Sequence, residues 1–372
     1  MLGPNRPHLA GPSDARRSAA VHGQTVRLRM RYDFAMKNLR HPSLPSSRVL
    51  LVVVLAAAAF SFNTGAAQDA PPLSAPKPVP RLQVIPQPYH QVSFQRGGVE
   101  IGRYHYGPTL PRPFVFPLIG PAGVSVTRLG HPRDPESHSH HNSAWLAHND
   151  VNGVTFWADR GTNAGRIVHQ RIELLEDGDD VAFIQTINAW TDPRGKVLLQ
   201  ERRRTAVKLL PDREWLLVVD SQFEAKPPEV VFGKTPFGLA AVRMAKTIGV
   251  HDGGGMIRNS AGGVNEKGVF WQPARWVDYS GLIAPNVLEG ATLLDHPKNP
   301  GHPATYHVRD DGWMGAAFTF GAPLTLRAGE SLRVRYGIYV HAGRPTAEAL
   351  NQQWEAFARD PWPVLELPGK KK

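Results

Sequence analysis

The segment SLRVRYGIYVH, residues 331–341, is the most regular pattern in the chain. Apolar side chains occupy every second position of it: Leu332, Val334, Tyr336, Ile338 and Val340. Successive side chains of a β-strand point to opposite faces of a sheet, so this spacing is typical of a strand. The segment therefore predicts a strand with one face in a hydrophobic core and the other face in water.

The same alternation recurs after residue 97 and predicts further strands. These lie at residues 114–119, 124–128, 166–175, 181–190, 196–210, 215–223 and 313–320. Short turn-forming pairs such as Asp177-Gly178 separate neighbouring strands, and such connections join antiparallel strands, because a parallel pair needs a crossover of a dozen or more residues. We expect an all-β fold, one large antiparallel β-sandwich of supersandwich type over residues 96–368.

One helix is predicted, near the C-terminus. Thr346 is a residue type that caps helix N-termini, and Leu350, Trp354 and Phe357 follow it at positions i, i+4 and i+7 of a helical turn pattern. Pro361 ends the pattern. This spacing places three apolar side chains on one face, so we expect the helix to pack on the sheet as a lid over an edge of the sandwich.

The N-terminal part of the chain has the features of an export signal. Lys37, Arg40 and Arg48 precede an unbroken apolar run at residues 49–60. Twelve residues rise only about 18 Å as a helix, which is short of a hydrocarbon core of roughly 30 Å. The pattern predicts a cleavable signal peptide that starts near Met36, a secreted or periplasmic location and no integral membrane span.

The net charge of +11 comes mainly from the two ends of the chain. The N-terminal extension with its signal, residues 1–67, holds nine basic and two acidic side chains, and three lysines end the chain. Residues 68–95 are proline-rich and predict an extended linker. The run Arg202-Arg203-Arg204 alternates faces in a strand and has no interleaved aromatic residues, so no nucleic-acid partner is expected. The absence of cysteine excludes disulfides and thiolate metal sites.

The densest polar segment, residues 131–153, contains five histidines. Imidazole serves as acid, base or metal ligand near neutral pH, which makes this segment a candidate site. If the segment is extended, His138 and His140 share a face and His141 points to the other face; if a helical turn begins near His140, His141 and His148 share a face. The candidate residues here are His140, His141 and His148 for catalysis, and Trp145, Asn152 and Trp157 for substrate binding.

A second polar segment covers residues 294–312, where prolines favour an ordered loop that leads into a strand. In that strand His307 and Arg309 share a face. A guanidinium beside an imidazole suits a carboxylate or a polyol oxygen, since arginine supplies several fixed donors. We take His307 as a catalytic candidate and Arg309 as a substrate-binding candidate.

A third polar segment, residues 271–281, combines aromatic and charged side chains. Aromatic faces bind the apolar side of a sugar ring, and charged groups bind its hydroxyls. Arg275 and Trp276 are therefore candidates for substrate binding, and Asp278 and Tyr279 are candidates for acid–base catalysis.

In their order and spacing, these segments resemble a secreted bacterial family known as PmoA-like, a domain of unknown function. The matching segments, between residues 112 and 343, are RPFVFPLIGPAGVSVTR, HSHHNSAWLAHNDVNGVTFW, PFGLAAVRMA, RNSAGGVNEKGVFWQPARWVDYSG, LLDHPKNPGHPATYHVRDDGW and LRAGESLRVRYGIYVHAG. The chain departs from the commoner pattern at Asn142-Ser143, where Arg-Gly is usual, and at Asn149, where Gly is usual. The family label refers to a multi-span membrane subunit of methane monooxygenase, which does not fit a chain whose longest apolar run has twelve residues. The family's association with sugar oxidoreductases implies a role in saccharide breakdown.

Three functions are compatible with these observations. The first is a carbohydrate-active hydrolase, lyase or epimerase that acts on a glycoside or an oxidised sugar, with histidine acid–base groups or a histidine-bound divalent metal. The second is a non-catalytic carbohydrate-binding module of the cell envelope, and the third is a cupin-like histidine–metal oxygenase or isomerase. Each takes a saccharide or another small polar molecule as its partner. The first predicts that the first and third polar segments meet His307 in one cavity, and it requires that His141 and His307 do not lie at opposite ends of the sandwich.

Overall fold

A computed structural model describes residues 77–130, 138 and 140–365, and within them nineteen strands and three α-helices. The strands are β1 (Leu82–Gln87), β2 (Gln91–Arg96), β3 (Val99–His105), β4 (Phe114–Leu118), β5 (Ala144–Leu146), β6 (Arg166–Glu176), β7 (Val181–Thr191), β8 (Val197–Leu209), β9 (Trp215–Ala225), β10 (Glu229–Phe232), β11 (Leu239–Arg243), β12 (Met256–Asn259), β13 (Gln272–Pro273), β14 (Trp276–Ala284), β15 (Val287–Asp295), β16 (Thr305–Arg309), β17 (Trp313–Ala317), β18 (Leu324–Arg327) and β19 (Ser331–Ala342). The helices are α1 (Val250–Gly253), α2 (Asn265–Val269) and α3 (Ala347–Arg359).

The strands form three antiparallel sheets in the described part of the chain. A nine-stranded sheet has the order β1-β2-β3-β4-β5-β11-β17-β16-β13, an eight-stranded sheet has the order β12-β14-β15-β19-β9-β8-β7-β6, and β10 pairs with β18. One continuous hydrophobic core contains side chains from both large sheets. The predicted all-β antiparallel sandwich with one C-terminal helix is confirmed.

The strand predicted at residues 331–341 is β19, and it lies inside the eight-stranded sheet between β15 and β9. Val334, Tyr336 and Val340 are fully or almost fully buried in the main core, as the alternation predicts. The prediction that the other face is in water is wrong, because Tyr339 and His341 are buried as well. A second hydrophobic cluster covers this outer face.

The C-terminal helix α3 provides that cover. The side chain of Thr346 accepts a hydrogen bond from the backbone N–H of Ala349, which confirms the predicted N-cap. Leu350 and Phe357 are buried against the outer face of the eight-stranded sheet. Gly337 of β19 permits this close packing, since a Cβ atom there would lie 3.0 Å from the ring of Phe357. The helix therefore packs on the face of the sheet and not over an edge of the sandwich.

The three consecutive arginines of β8 point to alternating faces, as predicted. Arg203 points into the core and forms a buried ion pair with Glu201. Arg202 pairs with Glu173, and the guanidinium of Arg204 lies over the ring of Phe183. The basic run is thus divided between the two faces of the sheet.

The sheets begin earlier than residue 96. Strands β1 and β2 occupy part of the segment predicted as a linker, and β1 accommodates Pro86 because it is an edge strand, where a missing N–H costs no sheet hydrogen bond. Residues 124–128 form isolated bridges instead of the predicted strand, since the backbone N–H of Leu118 bonds to the side-chain oxygen of Thr127.

The predicted signal peptide and the first part of the predicted linker lie outside the described residues. None of the helices in the described part of the chain has the length and apolar character that crossing a membrane requires.

Candidate functional site

Four histidine rings and one tryptophan form a connected group of ring contacts at the nine-stranded sheet. His138 and His141 stack with their ring centroids 4.6 Å apart, and His140 lies 4.5 Å from His141. His141 is 5.2 Å from Trp313, and His307 stacks on the same indole at 4.6 Å. Trp313 thus joins the first and the second predicted polar segments in one site, called here the histidine cluster: His138, His140, His141, His307 and Trp313.

A tight turn shapes the first part of the histidine cluster. The N–H of His141 donates to the carbonyl of His138, which brings these two rings to the same side. The expectation for an extended segment, that His138 shares a face with His140 and opposes His141, is therefore wrong. The expectation for a helical turn, that His141 and His148 share a face, is also not met, because β5 separates the two residues.

A buried arginine holds this turn in place. Arg112 has no exposed surface, and its guanidinium donates to the carbonyl of His140, to the side chain of Asn142 and to the carboxylate of Asp159. A guanidinium offers five donors in a fixed plane, so one side chain fixes two separate parts of the chain, the turn at residues 140–142 and the segment at residues 156–159. Arg112 therefore positions His140 without being part of the reacting surface.

Sheet register places His307 against Trp313. In the β16–β17 pair, His307 lies opposite Gly315. A Cβ atom at Gly315 would lie 2.5 Å from Cζ3 of Trp313, so only glycine leaves room for the indole at this point. The absence of a side chain opposite His307 is what allows its imidazole to stack on the tryptophan.

An ion-pair network adjoins the histidine cluster. Nδ1 of His138 lies 3.1 Å from Oδ2 of Asp311, and the other carboxylate oxygen of Asp311 accepts from Arg243 at 2.9 Å. Burial acts to raise the pKa of Asp311, but the hydrogen bonds from His138 and Arg243 outweigh it and lower that pKa to about 2. Asp311 is therefore ionised at neutral pH.

Burial keeps the other three histidines neutral. It lowers the pKa of His140 and that of His307 to about 4, and it lowers the pKa of His141 still further, with the neighbouring His140 and Arg243 acting in the same direction. The Nδ1 atoms of His141 and His307 are buried and make no hydrogen bond to any described residue. Neutral imidazoles with an unused nitrogen are suited to accept a proton or to bind a hydroxyl group.

The predicted aromatic wall is present but buried. Trp145 and Trp157 are almost fully buried and lie 5.2 and 6.3 Å from His141, ring centroid to ring centroid. The ring centroid of Phe237 lies 5.1 Å from that of His307. These rings support the imidazoles from behind, so they shape the histidine cluster more than they present flat faces to solvent.

Two predicted residues of the first segment lie apart from the histidine cluster. His148 is fully buried between Phe232 and Phe318, and its Nε2 lies 2.8 Å from the hydroxyl of Thr319. The side-chain amide of Asn152 exchanges two hydrogen bonds with the backbone of strand β10. The contacts of both side chains hold loops together.

The expectation that the third segment meets His307 in one cavity is wrong for most of its candidates, because they lie in the eight-stranded sheet, whereas His307 lies in the nine-stranded sheet. Arg275 and the indole of Trp276 both donate to Asn351 and so anchor helix α3. Asp278 is fully buried, and its partners are His341 and Arg258. Burial acts to raise the pKa of Asp278, but its bonds with His341 and Arg258 outweigh that effect and lower the pKa.

Tyr279 and Arg309 lie next to the histidine cluster without joining its rings. The hydroxyl of Tyr279 donates to the carbonyl of Asp310 and accepts from the N–H of Val250, which supports the loop that carries Asp311. Arg309 follows His307 on the same face of β16, is about half exposed and pairs with Glu266 at 3.4 Å. Tyr279 therefore supports the site, and Arg309 lies at its rim.

Several residues of the site have no counterpart among the predicted candidates. These are His138, Arg112, Asp311, Arg243 and Trp313. His138 belongs to the first predicted polar segment and Asp311 to the second, but neither was singled out as a candidate. Within residues 77–130, 138 and 140–365, no three histidine or carboxylate side chains are arranged to hold a metal ion.

The buried state of His148 predicts a pH-dependent stability. Burial lowers the pKa of His148 to about 4 in the folded chain, against an ordinary value of 6.5. Between these two values the unfolded chain binds more protons than the folded chain, so the free energy of unfolding falls as the pH falls from 7 towards 4. Between pH 7 and pH 4.5 we expect the free energy of unfolding to fall less in His148→Gln than in the wild-type chain, by up to about 2 kcal/mol. Urea denaturation at the two pH values measures it, and an unchanged loss in the variant would contradict the assignment.

Comparisons with known proteins give a family and no established function. A family model described as a family of unknown function, DUF6807, matches residues 91–355. No curated protein matches the sequence. Among solved structures, heparan sulfate lyase HepC from Pedobacter heparinus is 9% identical with a TM-score of 0.35, over 69% of this chain and 36% of that chain. A putative kojibiose phosphorylase from the human microbiome is 10% identical with a TM-score of 0.32, over 76% of this chain and 37% of that chain. The chain covers little more than a third of the length of these two structures.

Proposed function

Because the chain belongs to the DUF6807 family of unknown function, we propose its function from the histidine cluster: the protein is a carbohydrate-active enzyme that performs an acid–base reaction on a saccharide. The observation that carries the proposal is the continuous series of ring contacts in which His141 and His307 both contact Trp313, while His138 and His140 contact His141. Hydrolysis, elimination and epimerisation of sugars all require a base that removes a proton and an acid that returns one.

The environments of the rings divide these two roles. His140 and His307 are neutral at pH 7, because burial lowers the pKa of each to about 4, so either ring can accept a proton. Nδ1 of His138 lies 3.1 Å from the carboxylate of Asp311, which orients the ring. Acid–base catalysis needs one group that accepts a proton and another that donates one. We assign His307 or His140 as the base and His138 as the acid.

Charge pairing favours a neutral sugar as the substrate. The guanidinium groups around the histidine cluster each have a carboxylate partner: Arg112 with Asp159, Arg243 with Asp311, and Arg309 with Glu266. A site built for an anionic sugar needs positive charge that is not already compensated. We therefore propose a neutral glycoside or its keto derivative, and not a uronate, as the substrate.

The proposal includes the location of the protein. The export signal expected before residue 68 and the resemblance to the PmoA-like family both favour a secreted or periplasmic enzyme of saccharide breakdown. An enzyme in that compartment meets sugars outside the cytoplasm. The proposed reaction uses side-chain acids and bases, which are available there.

A substrate screen with matched variants tests the proposal. The panel contains neutral p-nitrophenyl glycosides, their 3-keto derivatives and the corresponding uronides. We expect turnover of a neutral member by the wild-type chain and a loss of about 10²-fold in kcat/KM for Asp311→Asn, because the acid loses its charged partner. Asp180→Asn is the control, since Asp180 forms an exposed ion pair with Arg81.

Two results would contradict the assignment. Turnover that is equal in Asp311→Asn and Asp180→Asn would remove the His138–Asp311 pair from the reaction. Saccharide binding by the wild-type chain without any turnover would favour a non-catalytic binding module instead.

A further inference from the structure

Aromatic rings continue from the histidine cluster to the surface. Phe270 meets His307 edge to face at 4.8 Å, and Phe270 stacks on Trp271 at 4.6 Å with 26° between the ring planes. Trp271 in turn lies 5.7 Å from Phe320. Trp271 is 48% exposed, whereas Trp313 at the start of this series is 2% exposed. The series therefore leads from a buried reacting surface to an open aromatic one.

The backbone holds Trp271 in an unfavourable conformation. Its φ angle is +57°, in the left-handed region that residues with a Cβ atom rarely adopt. Its N–H donates to the carbonyl of Tyr306 at 2.8 Å, which ties the residue to strand β16 one position before His307. Strained conformations of this kind persist where the surrounding structure enforces them, and they are frequent at binding sites.

A groove lies on the far side of the exposed rings. Phe320 lines an open space of about 450 Å³ together with Pro300, Thr305, Phe318 and Pro323. This volume is in the range of small-molecule sites. Phe320 touches both the groove and Trp271, so the groove continues the aromatic series that begins at His307.

A polar pair lies further along the same face of β16 as His307. Arg309 shares a strand face with His307, and Glu266 precedes Phe270 by one helical turn. The two side chains pair at 3.4 Å while 49% and 30% of their surfaces remain exposed. An aromatic face next to exposed hydrogen-bonding groups fits a pyranose ring, whose C–H face stacks on the indole while its hydroxyls bond to the charged groups.

We propose that Trp271, Phe320 and the Arg309–Glu266 pair form an outer subsite that binds a second sugar unit of an oligosaccharide or polysaccharide chain. The inference rests on the proposed function, because it places the first sugar unit at the histidine cluster. It makes the substrate a saccharide chain, with the reacting unit at the cluster and the next unit on Trp271. A saccharide fits this surface better than a protein partner does, since the aromatic area is narrow and flanked by charge.

Affinity electrophoresis of the full chain tests the outer subsite independently of turnover. The gels contain soluble neutral polysaccharides, namely laminarin, xylan, glucomannan and hydroxyethyl cellulose. We expect at least one of them to retard the wild-type chain. We expect Trp271→Ala to weaken that binding about tenfold or more and Trp271→Phe to retain most of it, because phenylalanine keeps a stacking face.

Tyr89→Ala is the matched control. Tyr89 is an exposed aromatic residue with a φ of +62°, in the turn between β1 and β2 at the opposite edge of the nine-stranded sheet. Its replacement leaves a Cβ atom at a similar positive φ, as Trp271→Ala does, without touching the proposed subsite. Circular dichroism and thermal melting confirm that the variants are folded.

The outcomes separate the subsite from the proposed function. Binding that is as strong in Trp271→Ala as in Tyr89→Ala overturns the subsite, and so does a wild-type chain that none of these polysaccharides retards. Binding that Trp271→Ala abolishes, in a chain without turnover of any member of the substrate panel, supports the subsite and contradicts the proposed enzyme.

Discussion

Replacement of His307 by glutamine is expected to lower kcat/KM for the saccharide substrate by about 10²- to 10⁴-fold, the range of a lost general base. Glutamine keeps a hydrogen-bonding side chain of similar length, but it cannot take up a proton. His307 is suited to that task because its Nδ1 is buried without a hydrogen-bond partner among the described residues and its ring is held on Trp313. Steady-state kinetics on the best substrate of the panel measures the effect.

The pH profile of the wild-type chain adds a second measurement. A base must be neutral to accept a proton, so activity falls when the pH drops below the pKa of that base. Burial, with Arg309 acting in the same direction, lowers the pKa of His307 to about 4. We therefore expect the acid limb of kcat/KM near pH 4, well below the ordinary histidine value of about 6.5.

His148→Gln is the matched control for His307→Gln. Both histidines lie in the nine-stranded half of the sandwich, and burial lowers the pKa of each to about 4. His148, however, packs between two phenylalanine rings away from the histidine cluster. Its variant should lose stability and keep its turnover per folded molecule. Equal losses of turnover in the two variants would show that burial, and not acid–base chemistry, accounts for the effect of His307.

The fold was largely predictable because strand periodicity is a local signal. The alternation of residues 331–341 identified β19 and its core face. The alternation could not show that helix α3 covers the second face. A strand that carries Tyr339 and His341 has the same sequence pattern whether a helix or water contacts that face. That cover depends on α3, and the contact between Gly337 and Phe357 joins segments whose proximity no local pattern encodes.

The site was predictable only where its residues are close in sequence. His140 and His141 lie in one dense polar segment, and their chemistry stood out there. Asp311 and Trp313 reach the same place through the pairing of β17 with β11 and β16, and strand register of this kind is not written in any one segment. A partner for His138 could not be inferred from an Asp-Gly pair that is also typical of an ordinary turn.

The third polar segment shows why a composition typical of sugar sites can mislead. Arg275 and Trp276 combine an aromatic ring with a guanidinium, which is the pattern of a carbohydrate subsite. The same two side chains bind Asn351 of helix α3, and Arg275 also lies over the ring of Trp354. Helix anchoring and sugar binding use the same donors and the same ring faces, so exposure is needed to tell them apart. Trp271 in the same segment is the exposed one.

The buried ion pair of β8 is expected to give the largest effect on stability. Glu201 is fully buried and accepts from Nε and Nη2 of Arg203 at 2.7 and 2.8 Å, from the indole of Trp190 and from the hydroxyl of Ser221. Arg203→Met leaves this carboxylate in the core with only neutral donors. We expect the free energy of unfolding to fall by about 3–5 kcal/mol, as measured by urea denaturation at pH 7.

A double variant separates the lost charge pair from lost packing. Glu201→Leu together with Arg203→Met removes both charges, and it should restore part of the stability, because no unpaired charge is left in the core while the indole of Trp190 and the hydroxyl of Ser221 lose their acceptor. Arg204→Met is the control on the neighbouring position, where the guanidinium lies over Phe183 on the other face, and it should cost only about 1 kcal/mol. A double variant as unstable as Arg203→Met would instead mean that the shape of the arginine, which lines the core beside Tyr104 and Tyr336, matters more than its charge. The Arg203–Glu201 pair would then stabilise the sandwich mainly by filling space in the core.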